Sequence, residues 1–308
     1  MRYSFIQELT ELAAKNRDLI LLTGDLGFTV FEDFAKKYPR QFFNVGVAES
    51  NMIGIATGLA LSGKTVFAYS IASFASFRPY EFIRNDVCLH KASVVVVGSG
   101  AGLSYGEAGP THFATQDISL MRSLPNMTIL CPADPPEARW ATREAAKLKS
   151  PVYLRLGKKG EPNLHHLSPK LKIGKGHFIK NGPDFVIIGT GNIVFNAYET
   201  AKILEKSGVS GSVISMHTVK PIDKKLVVEL ATTHDHIITI EENTVLGGLG
   251  SAVAEIISQM PNKKAKLLII GLPDTFPHKL GSHNYLREVY GLTPNKLSGR
   301  IKKFLSET

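Results

Sequence analysis

The sequence predicts an α/β fold of two domains, each built on a mainly parallel sheet that helices cover on both faces. Short apolar runs alternate with segments of helical spacing along the whole chain, and a polar segment interrupts the alternation once, after Leu156. Strands that are apolar throughout are typical of parallel sheets, because such sheets are buried on both faces. The 308 residues, 44% of them hydrophobic, suffice for two ordinary cores.

The first half of the chain carries five predicted strands, each a short apolar run bounded by Gly, Pro, Asp or Ser. The helices predicted between them have apolar residues at the spacing of one helix face. The predicted strands are 19–23, 65–69, 93–97, 127–131 and 151–155, and the predicted helices are 3–15, 49–61, 78–90 and 135–147.

A segment rich in Gly, Pro and Lys follows Leu156 and has the composition of an exposed inter-domain linker. We predict a first domain over residues 1–158, a linker over 159–175 and a second domain over 176–308. The α/β alternation restarts in the second domain. Its strands are predicted at 185–188, 212–215, 236–240 and 266–270, and its helices near 195–206, 224–232, 249–259 and 296–305.

The bulk composition favours a cytoplasmic protein that binds neither membrane nor nucleic acid. The formal net charge is +9, but Lys and Arg are dispersed, and no zinc-ligand spacing, RNA-binding aromatic signature or basic heptad accompanies them. No apolar run approaches the ~20 residues that span a bilayer. The two cysteines, Cys88 and Cys131, lie in helix-like and strand-like stretches and are predicted to be buried thiols.

The first candidate functional residue is Glu49, in the segment Asn44-Val-Gly-Val-Ala-Glu49. It lies at the start of a predicted helix, after a glycine turn, where a loop of an α/β protein faces its ligand. A carboxylate in this position also complements the helix dipole. From this segment alone, the dipole role is the favoured interpretation of Glu49.

A second candidate is His112, which ends the glycine-rich segment Ser104-Tyr-Gly-Glu-Ala-Gly-Pro-Thr-His112 after the predicted strand 93–97. Loops at the carboxyl ends of parallel strands bind ligands. A histidine titrates near neutral pH, so it suits proton transfer or a hydrogen bond to a substrate hydroxyl. The residues alone leave a catalytic and a structural role equally open.

Three aromatic residues at intervals of three, Phe74, Phe77 and Tyr80, form the third candidate feature. They could be the core-facing side of one helix. They could equally line a slot for a flat heterocycle, where ring stacking adds ~0.5–1.5 kcal/mol beyond area burial. The sequence alone does not choose between these two interpretations.

In this order, the three features resemble the carboxyl-terminal half of the transketolase family, that is, its pyrimidine-binding domain and the domain that follows. Gly46-Val-Ala-Glu49 and Gly106-Glu-Ala-Gly-Pro-Thr-His112 are similar to the family's activating-glutamate segment and substrate loop. The resemblance extends over almost the whole chain. Further similar segments are 123–126, 134–140, 216–223, 241–243 and 247–253.

The resemblance implies a catalytic site that uses thiamine diphosphate as an electron sink. Glu49 would hydrogen-bond a ring nitrogen of the cofactor's aminopyrimidine. Phe77, with Phe74 and Tyr80, would form the apolar wall against that ring, and His112 would contact the sugar substrate near its reacting carbonyl. Glu49 and His112 are thereby predicted to be catalytic.

The family's diphosphate and Mg²⁺ motif, Gly-Asp-Gly followed by Asn, has no counterpart in this sequence, where the nearest match is Gly24-Asp-Leu. The chain therefore resembles the second subunit of a split transketolase. Such a subunit requires a separate amino-terminal subunit that carries the diphosphate and Mg²⁺ site. We expect a dimer of heterodimers in which this chain supplies no metal ligand.

Two departures from the family pattern bear on the substrate. Ala108 stands where an acidic residue usually precedes Gly-Pro-Thr-His, and Lys158 stands where the family has a phosphate-binding arginine. Lysine supplies a point charge where arginine supplies a fork, and Arg2 matches another phosphate contact of the family. The resemblance thus implies sugar substrates bound by His112, Lys158 and Arg2, and the departures favour unusual sugars.

Three other functions stay open. A deoxyxylulose-phosphate synthase-like subunit or a 2-oxo-acid dehydrogenase beta-like subunit would use the same cofactor. A non-catalytic paralogue would keep the fold, since fold alone does not determine function. The presence of both Glu49 and His112 argues against such a paralogue.

Overall fold

The computed structural model describes residues 1–165 and 169–307, and it confirms the predicted α/β fold with two mainly parallel sheets. Residues 166–168 of the predicted linker, and residue 308 of the predicted second domain, lie outside the described residues. The strands are β1 (Leu19–Thr23), β2 (Phe42–Asn44), β3 (Thr65–Ile71), β4 (Val94–Ser99), β5 (Thr128–Leu130), β6 (Val152–Leu156), β7 (His177–Pro183), β8 (Phe185–Thr190), β9 (Gly211–Ser215), β10 (Thr218–Lys220), β11 (His236–Thr244) and β12 (Lys266–Leu272).

Helices connect the strands and cover both faces of each sheet. They are α1 (Arg2–Ala13), α2 (Glu32–Lys37), α3 (Glu49–Leu61), α4 (Ala72–Phe77), α5 (Tyr80–Phe82), α6 (Asp117–Ser123), α7 (Pro135–Leu148), α8 (Val194–Glu205), α9 (Lys224–Thr233), α10 (Leu249–Ser258), α11 (His283–Val289) and α12 (Pro294–Ser306). Within residues 1–165 and 169–307, no helix has the length and apolarity that crossing a membrane requires.

The first sheet has the strand order β10-β5-β6-β4-β3-β1-β2, and its strands are parallel except for β10 at one edge. Alternate residues of a strand point to opposite faces. Leu19 and Leu21 of β1 join the core that includes α1 and α7, whereas Ile20 and Leu22 join the core that includes α3. Because both faces of the sheet are buried, the sequences of its central strands are unbroken apolar runs.

The second sheet has the order β12-β11-β8-β9-β7 and is parallel except for β7 at one edge. Its central strand β8 again contributes side chains to two cores. Phe185 and Ile187 pack with α8 and α12, and Val186 and Ile188 pack with α9 and α10. The same burial on both faces explains why the sequence pattern located this sheet.

Three strands escaped the sequence prediction because they lie at sheet edges and lack an apolar run. β2 has three residues, and β7 is only partly buried and contains a glycine and a proline, which are typical of edge strands. β10 comes from the second half of the chain but pairs antiparallel with β5 of the first sheet, with Thr218 opposite Leu130. The two halves of the chain are therefore joined by strand pairing.

The predicted helix 78–90 has a different form. The helical stretch after β3 is divided at Pro79, which lacks the N–H that a continuous helix needs, and α5 begins at the next residue. A π-helix over Ile83–Leu89 follows and buries Ile83, Val87 and Cys88. Both cysteines, Cys88 and Cys131, are buried as predicted.

A buried ion pair joins the first sheet, α6 and the second sheet. Arg155 Nε donates to Asp117 Oδ2 at 2.7 Å, and Arg155 Nη2 donates to the carbonyl oxygens of Ala114 (2.9 Å) and Glu242 (3.0 Å). Burial disfavours the charged guanidinium, but the charge and hydrogen bond of Asp117 outweigh burial, so the pKa of Arg155 is raised. Loss of either partner would leave a buried charge uncompensated, at a cost of ~3–5 kcal/mol.

Glu242 is a second buried charge at the junction of the two halves. Its Oε1 accepts a hydrogen bond from Arg287 Nε at 2.9 Å and lies 2.7 Å from His283 Nε2. Arg287 Nη2 also donates to Asn192 Oδ1 at 3.0 Å. Burial alone would raise the pKa of the Glu242 carboxyl. The charges and hydrogen bonds of Arg287 and His283 outweigh burial and lower this pKa from its ordinary value to about 2.

Replacing Glu242 by Gln should make the free energy of unfolding less dependent on pH in acid. The folded-state pKa of about 2 lies below the ordinary value of 4.5. The ionised carboxylate therefore stabilises the fold fully above pH ~4.5, and this contribution is lost as the pH falls toward ~2. At ~1.36 kcal/mol per pKa unit, the ionised carboxylate contributes about 3 kcal/mol to the free energy of unfolding, and all of it is lost when the group is protonated.

Urea unfolding of both proteins from about pH 7 down to about pH 3 measures this difference. The Gln variant should be less stable than the wild type near neutral pH. The difference in unfolding free energy between the two proteins should narrow by about 2 kcal/mol at the acid end, because only the wild type has a carboxylate at position 242 that takes up a proton on unfolding. A gap that stays constant over this range would contradict the role assigned to Glu242.

Candidate active site

The candidate residues come together at the edge of the first sheet where its parallel strands end. α3 with Glu49 follows β2, α4 with Phe74 follows β3, and the loop that ends at His112 follows β4. Lys158 stands two residues beyond the end of β6. Side chains from separate loops converge because parallel strands share one carboxyl edge, the usual ligand-binding position of α/β sheets.

Glu49 is a buried carboxylate at the first position of α3, with 1% of its side chain exposed. Its Oε1 accepts a hydrogen bond from Ser70 Oγ at 3.1 Å, and its Oε2 accepts one from Arg78 Nη1 at 2.9 Å. A buried charge is costly unless it is paired and hydrogen-bonded, and these two donors meet that requirement. Complementing a helix dipole does not require burial, so the burial of Glu49 favours a functional interpretation.

Asn44 fixes the turn that leads into α3. Its Oδ1 accepts hydrogen bonds from the backbone amides of Asp25 and Gly46, both at 3.0 Å, and its Nδ2 donates to Asp25 Oδ1 at 2.8 Å. Gly46 has a φ of 78°, in the left-handed region that favours glycine. The segment Asn44-Val-Gly46 therefore fixes the position and orientation of Glu49 at the sheet edge.

Phe74 and His112 form an aromatic wall that Arg78 links to Glu49. The ring centroids of Phe74 and His112 are 5.0 Å apart in an edge-to-face arrangement, which is favourable for aromatic pairs. The guanidinium carbon of Arg78 lies 4.2 Å above the centroid of the Phe74 ring. The structure thus links Glu49 to Phe74 through Arg78, and Phe74 contacts His112.

The other two predicted aromatics have different surroundings. Phe77, the last residue of α4, is 36% exposed. The Tyr80 hydroxyl donates to the Leu120 carbonyl at 3.2 Å and lies 2.6 Å from Ser123 Oγ, so it ties α5 to α6. Phe74 is therefore the aromatic whose contacts reach both His112 and Arg78. A cofactor-facing role for Phe77 and Tyr80 stays a prediction.

The two predicted substrate-binding cations contact each other, and Tyr105 lies between Lys158 and His112. Arg2 Nε donates to the Lys158 carbonyl at 2.7 Å. Lys158 Nζ lies 4.4 Å above the centroid of the Tyr105 ring, which is itself 6.3 Å from the centroid of the His112 ring. Tyr105 therefore connects the Lys158 side chain to His112, and Arg2 is held at the Lys158 backbone.

Sequence reasoning missed Ser70, Arg78 and Tyr105. Ser70 and Arg78 are 21 and 29 residues from Glu49 in the chain, and only the fold brings them to its carboxylate. Arg78 follows Phe74 by four residues, about one helical turn, and this spacing could have suggested the contact between these two side chains. Tyr105 packs on Gly100, where φ is 79° and a β-carbon would collide with the Tyr105 ring.

The site suits a ligand that is flat at one end and anionic elsewhere. Glu49 and Phe74 offer a hydrogen-bond acceptor beside an aromatic ring, and Arg2 and Lys158 offer positive charge. Within the described ranges 1–165 and 169–307, no group of three or more His, Cys, Asp or Glu side chains is placed to hold a metal ion.

Family models match both halves of the chain. Residues 1–161 match the transketolase pyrimidine binding domain, and residues 174–297 match the transketolase C-terminal domain. The chain belongs to the transketolase family. This membership confirms the resemblance inferred from the Glu49 segment and the loop that ends at His112.

Proteins similar to this transketolase-family chain match it over nearly its full length. One from Methanocaldococcus jannaschii, described as "Putative transketolase C-terminal section", is 40% identical over 98% of this chain and 95% of its own length. An apulose-4-phosphate transketolase subunit of Phocaeicola vulgatus is 34% identical over 99% of this chain and 97% of its own length. A solved structure described as "Split gene transketolase, inactive beta4 tetramer" has a TM-score of 0.91 at 38% identity, and the match covers 99% of this chain and 98% of that chain.

Proposed function

We propose that this chain is the subunit of a thiamine-diphosphate-dependent transketolase that contributes Glu49 and His112 to a site shared with a separate amino-terminal subunit. The enzyme would transfer a two-carbon ketol unit between sugars, in particular sugar phosphates. The observation that carries the proposal is the buried Glu49 carboxylate beside the Phe74–His112 wall. Membership of the transketolase family supports this chemistry for the arrangement.

The side chains around Glu49 fit the aminopyrimidine ring of thiamine diphosphate. Such a ring needs a hydrogen-bond acceptor at its edge and an aromatic or apolar surface against its face. Glu49 Oε2 supplies the acceptor, and Phe74 supplies the aromatic surface. Glu49 and Phe74, with Phe77 and Tyr80 as predicted, would hold this end of the cofactor.

When bound, thiamine diphosphate supplies an electron sink for the two-carbon unit. Glu49 would hold a proton at the pyrimidine ring nitrogen, because a carboxylate at the ring edge favours the protonated, positively charged form. The burial of Glu49 strengthens this interaction, since charges attract more strongly where water is excluded. Ser70 holds Oε1, which leaves Oε2 as the oxygen for the ring.

His112, Lys158 and Arg2 would bind the sugar. An imidazole can donate or accept a hydrogen bond near neutral pH, so His112 suits the hydroxyl or carbonyl at the reacting end. Lys158 and Arg2 would attract a phosphate or another anionic group. Because an ammonium is a point charge and not a fork, Lys158 sets few directional limits on that group, which supports a substrate outside the usual range.

A separate amino-terminal subunit would carry the diphosphate and Mg²⁺ site. The relative from Phocaeicola vulgatus is named as one subunit of a transketolase, and the solved split-gene relative is described as an inactive β4 tetramer. Both descriptions support a chain that requires a second polypeptide for activity. We infer two copies of each subunit, that is, a dimer of heterodimers.

Replacing Glu49 by Gln should leave the chain folded and lower kcat by ~10²-fold or more, the scale of a lost acid–base group. The amide cannot accept or stabilise a proton as a carboxylate does. The measurement is the rate of two-carbon transfer from a panel of ketose donors, with the amino-terminal subunit, thiamine diphosphate and Mg²⁺ present.

Glu81→Gln is the matched control, because Glu81 is an exposed glutamate on α5 and the substitution makes the same chemical change. It should keep wild-type turnover. The role proposed for Glu49 would be wrong if the Glu49→Gln enzyme kept turnover within a few-fold of the wild type.

Replacing His112 by Ala should impair the reaction with sugars while cofactor affinity of the assembled enzyme persists. The loss of one hydrogen bond to a polar substrate group predicts a ~10–100-fold lower kcat/KM. The measurement pairs substrate kinetics with a calorimetric titration of thiamine diphosphate, and exposed His90, replaced by Ala, is the control. A large loss of cofactor affinity in the His112 variant would place this residue against the cofactor and not the sugar.

A further inference from the structure

Arg78 covers the buried carboxylate of Glu49. The Arg78 side chain is 49% exposed, whereas that of Glu49 is 1% exposed. Arg78 Nη1 donates to Glu49 Oε2 at 2.9 Å, and the guanidinium carbon lies 4.2 Å above the Phe74 ring. A ligand that approaches Glu49 from solvent therefore meets this guanidinium first.

The guanidinium makes the two contacts that the proposed function assigns to the aminopyrimidine ring. A guanidinium is planar, donates N–H groups from its edge and stacks its face on aromatic rings. Here the Nη1 N–H bonds the Glu49 carboxylate, and the guanidinium carbon lies over the Phe74 ring. Arg78 thus resembles a flat, nitrogen-rich ring in the planarity of its guanidinium, in its hydrogen bond to Glu49 and in its position over Phe74.

We propose that Arg78 is a positioning residue that takes the place of the aminopyrimidine in the cofactor-free chain and moves into solvent when the ring binds. This inference rests on the function proposed for Glu49. A buried carboxylate without a partner is strongly destabilising, so the cofactor-free chain needs a cation at this position. The half-exposed side chain can leave without disturbing either core of the first sheet, and Ser70 stays on Oε1.

A purely structural ion pair and a displaceable one predict opposite effects on cofactor affinity. If Arg78 only holds the site in shape, its removal should weaken cofactor binding. If the cofactor has to displace Arg78, its removal should strengthen binding, because the competing contact is gone. Cofactor affinity therefore separates the two roles, whereas activity alone does not.

The test is a calorimetric titration of thiamine diphosphate with Mg²⁺ into the chain assembled with its amino-terminal subunit. We expect Arg78→Ala to lower Kd about fivefold relative to the wild type, the scale of one half-exposed ion pair. Arg84→Ala is the control, because Arg84 is an exposed arginine on the following π-helix whose Nη1 donates to Asn85. It makes the same change of charge and should leave Kd unchanged.

An unchanged or raised Kd in the Arg78→Ala complex would overturn the proposal. So would an equal fall of Kd in the Arg84→Ala complex, which would show a general effect of charge. Absence of cofactor binding by the wild type and by both variants would instead contradict the proposed function, and the inference about Arg78 would fall with it.

Thermal unfolding of the cofactor-free chain tests the pairing independently of the cofactor. Arg78→Ala should lower Tm by about 2–4 °C. The same substitution in a Glu49→Gln background should lower Tm less, because a neutral amide does not require a cation. Equal losses of Tm in the two backgrounds would overturn the pairing on which the proposal depends.

Discussion

The buried ion pair between Arg155 and Asp117 sets the relative positions of the parts that form the site. Arg155 lies near the end of β6, three residues before Lys158, and Asp117 begins α6, five residues after His112. The same guanidinium bonds the Glu242 carbonyl of β11 and so holds the second sheet against the first. A pair this deeply buried requires nearly complete hydrogen bonding. Its geometry therefore constrains the position of Lys158 and the loop that ends at His112 together.

At the opposite end of the site, the buried carboxylate of Glu49 likewise requires hydrogen-bond partners. Its carboxylate is buried although the group it is proposed to bind comes from elsewhere, so the cofactor-free chain must satisfy that charge internally. Ser70 and Arg78 do so with one hydrogen bond to each oxygen. The two donors differ in exposure, since Ser70 is buried and Arg78 is half-exposed. In the proposed shared site, the half that this chain contributes thus contains one fixed contact, from Ser70, and one contact proposed to be replaceable, from Arg78.

Most of the fold could be predicted because parallel strands buried on both faces leave a strong apolar signal. β1 and α3 have the predicted bounds, 19–23 and 49–61. The edge strands β2, β7 and β10 lack that signal, and the pairing of β10 with β5 joins segments that are distant in the chain. Within the candidate site, the order of motifs singled out Glu49, Phe74 and His112, which the structure places near one another. The contacts of Ser70, Arg78 and Tyr105 with them depend on strand order and on a left-handed glycine, Gly100, which no local pattern specifies.

Calorimetric titration of the isolated chain with thiamine diphosphate, with and without Mg²⁺ and the amino-terminal subunit, tests most directly whether the cofactor site is shared. A micromolar complex requires ~8 kcal/mol, and contacts from Glu49 and the aromatic wall leave the charged diphosphate without a metal clamp. We predict weak or undetectable, Mg²⁺-independent binding by the isolated chain and Mg²⁺-dependent binding by the assembled pair. Tight, Mg²⁺-dependent binding by the isolated chain would contradict a site shared between two subunits.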